Sequence, residues 1–263
     1  MTIPVGAEPV GTLVRRWRER RRRSQLDVAL AAEISARHVS FIETGRATPS
    51  GQMIERLSDV LDVPLRERNT LHLAAGFAPA HRERPFEDLG VVRGAVDAVL
   101  TGQEPNPALA VNVRWELLTA NRTMTAMLDD VAEELRTPPV NVLRATLHPK
   151  GLAPRLRNYE QWRSHQLRRV RRQLERTAAP GLADLLEEIS AYPTPTDGQI
   201  ESAGPADQDV VVPMVLASPA GDLSFCYALT VFGAPRDVSL DEVAIETFFA
   251  ADAATADFIH SLG

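Results

Sequence analysis

Between Ser24 and Ser50 the chain runs Ser-Gln-Leu-Asp-Val-Ala-Leu-Ala-Ala-Glu-Ile-Ser-Ala-Arg-His-Val-Ser-Phe-Ile-Glu-Thr-Gly-Arg-Ala-Thr-Pro-Ser, and its punctuation leaves few choices of fold. Ser24 stands as an N-cap before a short helix in which Leu26, Ala29 and Leu30 recur at helical spacing. Ser35 caps a second helix, with Val39 and Ile42 on its inner face. Ala36, Arg37, Ser40 and Phe41 are left on the outward face, and Gly45 supplies a left-handed C-terminal stop. Two short capped helices joined by a tight turn are therefore expected, the second presenting polar groups to its surroundings.

The flanks extend this into a helical domain. Val10–Arg23 predicts a first helix with Leu13, Val14 and Trp17 buried; Ser50 caps a fourth through Ile54, Leu57 and Leu61; Pro64 opens a fifth, Leu65 to Ala75, stopped by Gly76. The first helix ends in Arg18-Glu-Arg-Arg-Arg-Arg23, either a solvated helix end favoured by the helix dipole or a phosphate-binding run that includes Arg22 and Arg23. The overall charge of -6 hides a division. Residues 1–80 carry 12 arginines and 9 acidic residues, a balance of +3, and the remaining 183 carry 17 basic and 26 acidic, a balance of -9. A basic end on an acidic body fits a DNA-binding head on a separate module.

Gln25, Ala29, Ser35, Val39, Ser40, Ile42, Glu43, Gly45, Pro49 and Ser50 fall at the spacing Q-x3-A-x5-S-x3-V-S-x-I-E-x-G-x3-P-S. This resembles the XRE-type helix-turn-helix repressors, whose lambda-repressor-like domain has five helices. On that footing the outward face of the second helix reads DNA. Arg37 suits a bidentate contact to guanine, the alternative being an ordinary solvated arginine. Phe41 faces either a thymine methyl or its own domain, and His38 or Ser40 reaches a base edge or phosphate. Ser35 and Ala36 lie at the same helix start. The resemblance implies that Gln25 holds a phosphate; Thr44 and Arg46 are further phosphate candidates.

The second half reads differently. Pro79 to Asn106 is a proline-marked junction with a helix at Leu89–Leu100. Leu109, Val111 and Val113 alternate as a half-buried strand, Trp115–Ala120 reads as its antiparallel partner, and Asn121 opens a helix carrying Met124, Met127 and Leu128. This opening resembles a PAS-type fold. Residues from Val131 to Tyr192 are expected to be helical and arginine-rich, followed by strands at Val210–Leu216 and Leu223–Phe232 and a final helix from Leu240 to about Ser261. Pro139-Val-Asn-Val-Leu-Arg144, Leu147-His-Pro-Lys-Gly151, Asn158-Tyr-Glu-Gln-Trp-Arg-Ser-His165, Val231-Phe-Gly-Ala-Pro-Arg-Asp-Val238 and Glu246-Thr-Phe-Phe-Ala-Ala-Asp252 together resemble the ligand-binding domain of MmyB-like regulators, although that family usually has Pro where this chain has Ala250. The resemblance implies a one-component transcription factor whose PAS-like domain encloses a small, often fatty-acid-like, ligand.

Other chemistry finds little footing. The six histidines show no H-x3-H or H-E-x2-H spacing, and no Gly-x-Ser-x-Gly elbow or phosphate-cradling glycine loop is present. No catalytic residue, metal or cofactor is therefore expected. Asp129-Asp130 and Glu133-Glu134 read as solvated surface. Cys226, the only cysteine, excludes an intramolecular disulfide and reads as a small buried hydrophobe. No segment approaches the roughly 20 apolar residues of a membrane span, so a cytoplasmic protein without a membrane partner is expected. A lipid pocket needs an apolar wall and one or two polar anchors. Val113, Trp115, Met124, Met127, Leu143 and Trp162, with Val111 and Leu167, are candidates for the wall, or plain core. Asn141 and Arg144 are candidate anchors, since an arginine among Val140, Val142 and Leu143 needs an anionic partner, either a ligand carboxylate or an internal acid. Trp162 and His165 are placed to line the same space, whereas most of Arg168, Arg169, Arg171, Arg172 and Arg176 are expected to face solvent.

The expectation is thus a multidomain chain: an all-α five-helix XRE/lambda-repressor-like DNA-binding domain at 1–80, a linker with a connecting helix at 81–106, and an α/β PAS-like ligand-binding domain at 107–263. It would act as a homodimer on double-stranded DNA with a palindromic operator, modulated by a small apolar ligand. The alternative is a DNA-binding protein whose second domain only dimerises or docks a partner protein.

Overall fold

The computed structural model describes residues 8–195, 212–219, 221–233 and 235–262. The chain forms two compact units, one comprising the chain up to Arg84 with 175–177 and 234–241, the other 85–174, 178–233 and everything from Glu242 on.

The first unit holds five helices: α1 (Val10–Arg20), α2 (Gln25–Ala31), α3 (Ala36–Glu43), α4 (Gly51–Val60) and α5 (Leu65–Ala74). Each serine cap does what its position demands. Ser24 accepts from the Asp27 amide in a reciprocal capping box, Ser35 from His38, and Ser50 from Met53. Leu13, Val14, Trp17, Val39, Ile42, Ile54, Leu57 and Leu61 are all buried, as their spacing predicts. The first helix stops at Arg20 rather than Arg23, because Arg22 takes a left-handed φ of 53° and turns the chain into the Ser24 cap. A second correction concerns α2. Leu26 and Leu30 are exposed, while Val28, Ala29 and Ala32 are buried. So short a helix lies close to α3, and its small residues, not its leucines, form the contact face.

The second unit begins with α6 (Gly90–Gly102), followed by β1 (Ala108–Val111), β2 (Leu117–Ala120), α7 (Arg122–Leu128), α8 (Glu133–Arg136), α9 (Val142–Leu147), α10 (Tyr159–Thr177), α11 (Leu182–Ser190), β3 (Met214–Ser218) and β4 (Gly221–Val231). Then come α12 (Val238–Asp241), which falls in the first unit, β5 (Ala244–Ala250) and α13 (Ala253–Leu262). The five strands form one antiparallel sheet in the order β2-β1-β5-β4-β3. Successive residues alternate between two cores. Leu109, Val111, Phe225 and Phe248 enter the larger core, with residues of α7, α9, α10 and α11. Ala108, Ala110 and Ile245 face the other side, where Val96 and Leu100 of α6 cover them. The helix read as a connector therefore forms part of the unit's second layer. This is the expected PAS-like α/β arrangement.

Several boundaries differ from the sequence reading. Val113 and Trp115 lie in the turn between β1 and β2, not in strands, and Trp115 adopts a φ of 65°. The third strand begins at Met214; Val210 and Val211 lie outside the described residues. The largest correction is at the C-terminus. The single helix expected from Leu240 contains the strand β5, which pairs with both β1 and β4 in the middle of the sheet. A central strand is covered on both faces, so Ile245, Glu246, Thr247 and Phe248 are buried in succession and lose the alternation that marks a one-sided strand.

Candidate DNA interface and ligand site

The candidate recognition surface is built on α3. Val39 and Ile42 anchor one face, and the Ser35 cap fixes where the helix begins. Arg37 is exposed on the other face, with Ala36, His38, Ser40 and Phe41 half-buried around it. The guanidinium carbons of Arg37 and Arg46 lie 5.1 and 5.8 Å from the centre of the Phe41 ring. Phe41 thus holds two cations at the helix surface by its π face and needs neither burial nor a thymine to be satisfied. Gly45, at φ 72°, folds the loop back so that the Arg46 amide donates to the Phe41 carbonyl. Thr44 Oγ1 donates to the Ser40 carbonyl at 2.7 Å.

Beneath this surface Glu43 is nearly buried and accepts from three donors. Arg18 Nε and an Arg18 terminal nitrogen reach it at 2.6 and 3.0 Å, and Gln25 Nε2 at 2.8 Å. Gln25 is consequently held at the start of α2 by the end of α3, with one of its two amide hydrogens committed. The arginine run divides in the same way: Arg18 pairs with Glu43 and Arg21 donates to the Leu61 carbonyl at 2.8 Å, while Arg22 and Arg23 are exposed.

In the second unit the two suggested anchors turn out to be structural. Asn141 caps α9, its Oδ1 accepting from the Leu143 and Arg144 amides while Nδ2 donates to the Arg114 carbonyl at 2.9 Å. Arg144 is not buried: its side chain is 44% exposed and makes a two-pronged pair with Glu188 at 2.8 and 2.6 Å. The internal acid is the partner this arginine required. Hydrogen bonding to Arg144 holds the Glu188 carboxyl below its usual range, and burial together with Glu188 pushes the Tyr192 hydroxyl up.

The polar centre of the core lies elsewhere, along one stripe of α10. Trp162, His165, Arg169 and Gln173 follow one another at helical spacing. The Arg169 guanidinium sits between two rings, 4.6 Å from the centre of Trp115 and 4.8 Å from that of Tyr227, and donates to Glu246 Oε1 at 2.5 Å. Its side chain is 14% exposed and that of Glu246 only 6%. His165 stacks on Trp162 at 5.9 Å and hydrogen-bonds through Nε2 to the Tyr227 hydroxyl, and Tyr227 meets the Trp162 ring edge-on at 5.6 Å. Burial, aided by Arg169 and more weakly by Arg168 and Arg172, lowers the His165 pKa to about 4, so the ring is neutral at physiological pH. Trp115 reaches this cluster through its left-handed backbone, which costs a bulky residue about 1–3 kcal/mol. It is held there by Nε1 donating to Gln173 Oε1 at 2.8 Å, while Gln173 Nε2 donates to the Val113 carbonyl.

Beyond Tyr227 the same sheet face stays apolar but loses its cover. Leu229 and Val231 share the Tyr227 side of β4, with Leu229 directly opposite Glu246, and they are 49% and 60% exposed. Of the other residues expected at a ligand wall, Met124 and Leu143 are buried and Val113 and Met127 half-buried in the same core. Sequence reasoning brought Trp115, Trp162 and His165 to this place but missed Arg169, Glu246 and Tyr227. The four-residue step from His165 carried the signal for Arg169, obscured by the neighbouring arginines. Tyr227 lies two residues past Phe225 and was legible from strand alternation. Glu246 was lost with the misread strand. No group of three or more metal-ligating side chains occurs among the described residues, and no helix among them is long and apolar enough to cross a membrane.

The arrangement agrees with what the chain is similar to. A helix-turn-helix domain model matches residues 9–71, covering α1 to α4 and most of α5. The model of the MmyB-like transcription regulator ligand binding domain matches residues 92–262, more than half of the chain and the whole of the sheet. No curated protein matches. The chain belongs to the MmyB-like transcription regulators, carrying a helix-turn-helix domain ahead of the ligand-binding domain that defines the family.

Proposed function

We infer that this regulator reads a two-fold operator as a homodimer of XRE type, and that a small, fatty-acid-like amphiphile bound in the PAS-like domain modulates its DNA affinity. The observation that carries the ligand half is the apolar strip Leu229–Val231, exposed on the inner sheet face beside the buried Arg169–Glu246 pair and the Trp162–His165–Tyr227 cluster. An apolar surface leading to a few fixed polar groups is what a pocket for an amphiphile requires. Arg37 and Arg46 around Phe41 are proposed to contact base edges and phosphate, with Arg22, Arg23, Gln25 and Thr44 on the backbone. Arg144 and Asn141, committed within the chain, drop out as ligand anchors, and the anchoring role passes to the α10 stripe.

Native mass spectrometry of the freshly purified full chain tests the ligand reading. The expected result is a mass increment from one small amphiphile per chain, lost on unfolding. A protein that carries none and takes up no medium-chain amphiphile would have a second domain devoted to dimerisation or partner docking instead.

A further inference from the structure

The acidic body of the chain contains a second, smaller division of charge. Over Tyr159–Thr177, α10 holds six arginines and two glutamates, a balance of +4, inside a stretch, residues 81–263, whose total is -9. Elsewhere in the second unit exposed arginines rest on acids: Arg114 on Glu116, Arg136 on Asp129, Arg144 on Glu188 and Arg157 on Asp222. Arg168, Arg171, Arg172 and Arg176 are exposed too, yet none of them makes an ion pair among the described residues. Arg168, Arg172 and Arg176 recur every four residues, which sets them in one row with about 6 Å of rise between neighbours. Like charges at that spacing oppose helix formation, so the row costs stability unless an anion neutralises it.

Its surroundings favour one kind of anion. The exposed residues of α10 are Ser164, Arg168, Arg171, Arg172, Glu175 and Arg176, with no apolar side chain among them. A protein interface has an apolar core within its polar rim, whereas a phosphate backbone asks only for a line of donors and cations. The row also ends among groups of the DNA-binding unit. Residues 175–177 belong to the first unit, where Arg20 donates to the Glu175 carbonyl at 3.1 Å and Arg21 to the Arg176 carbonyl at 2.9 Å. Burial lowers the Arg21 pKa against the pull of Asp62, and the charges of Arg20 and Arg176 lower it further. Arg176 thus shares a unit with the arginine run whose exposed end is Arg22 and Arg23.

We propose that Arg168, Arg172 and Arg176, with Arg171 beside them, are a second DNA contact, made by α10 to backbone phosphates and lying outside the helix-turn-helix. Such a contact reads no bases; it adds affinity and salt dependence. It presupposes the DNA-binding role of the first unit and extends it to a helix that also lines the core of the ligand-binding domain.

The test is fluorescence anisotropy of a random-sequence DNA duplex, titrated with full-length protein from low to physiological salt, on the variant Arg168→Gln/Arg172→Gln/Arg176→Gln. Glutamine keeps the helix propensity of arginine and removes its charge. The charge-matched control is Arg93→Gln/Arg136→Gln/Arg157→Gln, three arginines that already have acidic partners. The row variant is expected to make the slope of log affinity against log salt shallower by about 2 to 3, at about 0.9 for each phosphate released, while the control keeps the slope of the unaltered protein. Arg172→Gln alone is expected to remove about 0.9, a reading that survives if the triple variant misfolds. An unchanged slope in the row variants, or an equal shift in both triples, would overturn the α10 contact and leave DNA binding by the helix-turn-helix in place. An unchanged slope with an altered sedimenting mass would give the row to a protein partner and overturn the contact as well. Failure of the unaltered protein to bind DNA at any salt would remove the DNA-binding reading and this contact together.

Discussion

Arg168 and Arg169 are neighbours in the sequence and identical in chemistry, yet one is exposed and the other lies between two aromatic rings on a buried carboxylate. Only the phase of α10 separates them, and phase is what a run of arginines conceals. Arg144 shows the converse: apolar neighbours in sequence suggested burial, but the side chain reaches Glu188 near the surface. His165 makes the burial of the α10 stripe measurable. Its folded pKa of about 4 lies below the ordinary 6.5, so the unfolded chain binds the proton first as pH falls. Stability tied to the neutral ring is complete above the unfolded value and lost as pH drops from about 6.5 through 4. The melting temperature of the native protein should therefore fall more steeply over that window than that of His165→Gln. Parallel curves would mean that His165 is hydrated and the cluster open. On α3, Arg37→Ala should weaken specific DNA binding by about 1–3 kcal/mol with the fold intact. Unchanged gel-shift affinity for the selected operator would remove Arg37 from base reading.

Helices announced themselves where residues act locally. Ser24, Ser35 and Ser50 cap α2, α3 and α4, and Gly45 stops α3, because capping depends on a few adjacent residues. Elements whose character comes from distant partners were less legible. Residues 244–250 contain helix-compatible Ala and Glu, and only their place between β1 and β4 makes them a strand. The face chosen by α2 likewise depends on how closely α3 approaches. Gly11 carries the same lesson for α1. A Cβ there would lie 2.2 Å from the Ile42 carbonyl oxygen and 2.9 Å from that of Glu43, backbone atoms that have little room to yield. Gly11→Ala should therefore displace α1 from the end of α3 and destabilise the protein by about 1–3 kcal/mol. Chemical denaturation with an unchanged midpoint would show that the two helices are less tightly apposed. The candidate ligand site divides along these lines too. Trp115, Trp162 and His165 were visible as residue types, but Glu246 became visible only once its strand was in place.

For the whole molecule, the division of charge and the two domains together define the account. Residues 1–80 carry +3 and the remainder -9, so DNA binding should depend steeply on salt despite the acidic total. Each phosphate neutralised contributes about -0.9 to the slope of log affinity against log salt. A nearly flat titration would remove the electrostatic role of Arg22, Arg23 and Arg46. Regulation requires more than two functional domains in one chain. A ligand alters DNA affinity only by binding one state of the regulator better than another, and the coupling is reciprocal. The most direct measurement is fluorescence anisotropy of an operator selected from random DNA, titrated with full-length protein in the absence and in the saturating presence of the amphiphile it binds. The account predicts a change in DNA dissociation constant of at least about fivefold, matched by an equal change in ligand affinity when DNA is bound. Identical DNA curves with the ligand demonstrably bound would contradict it.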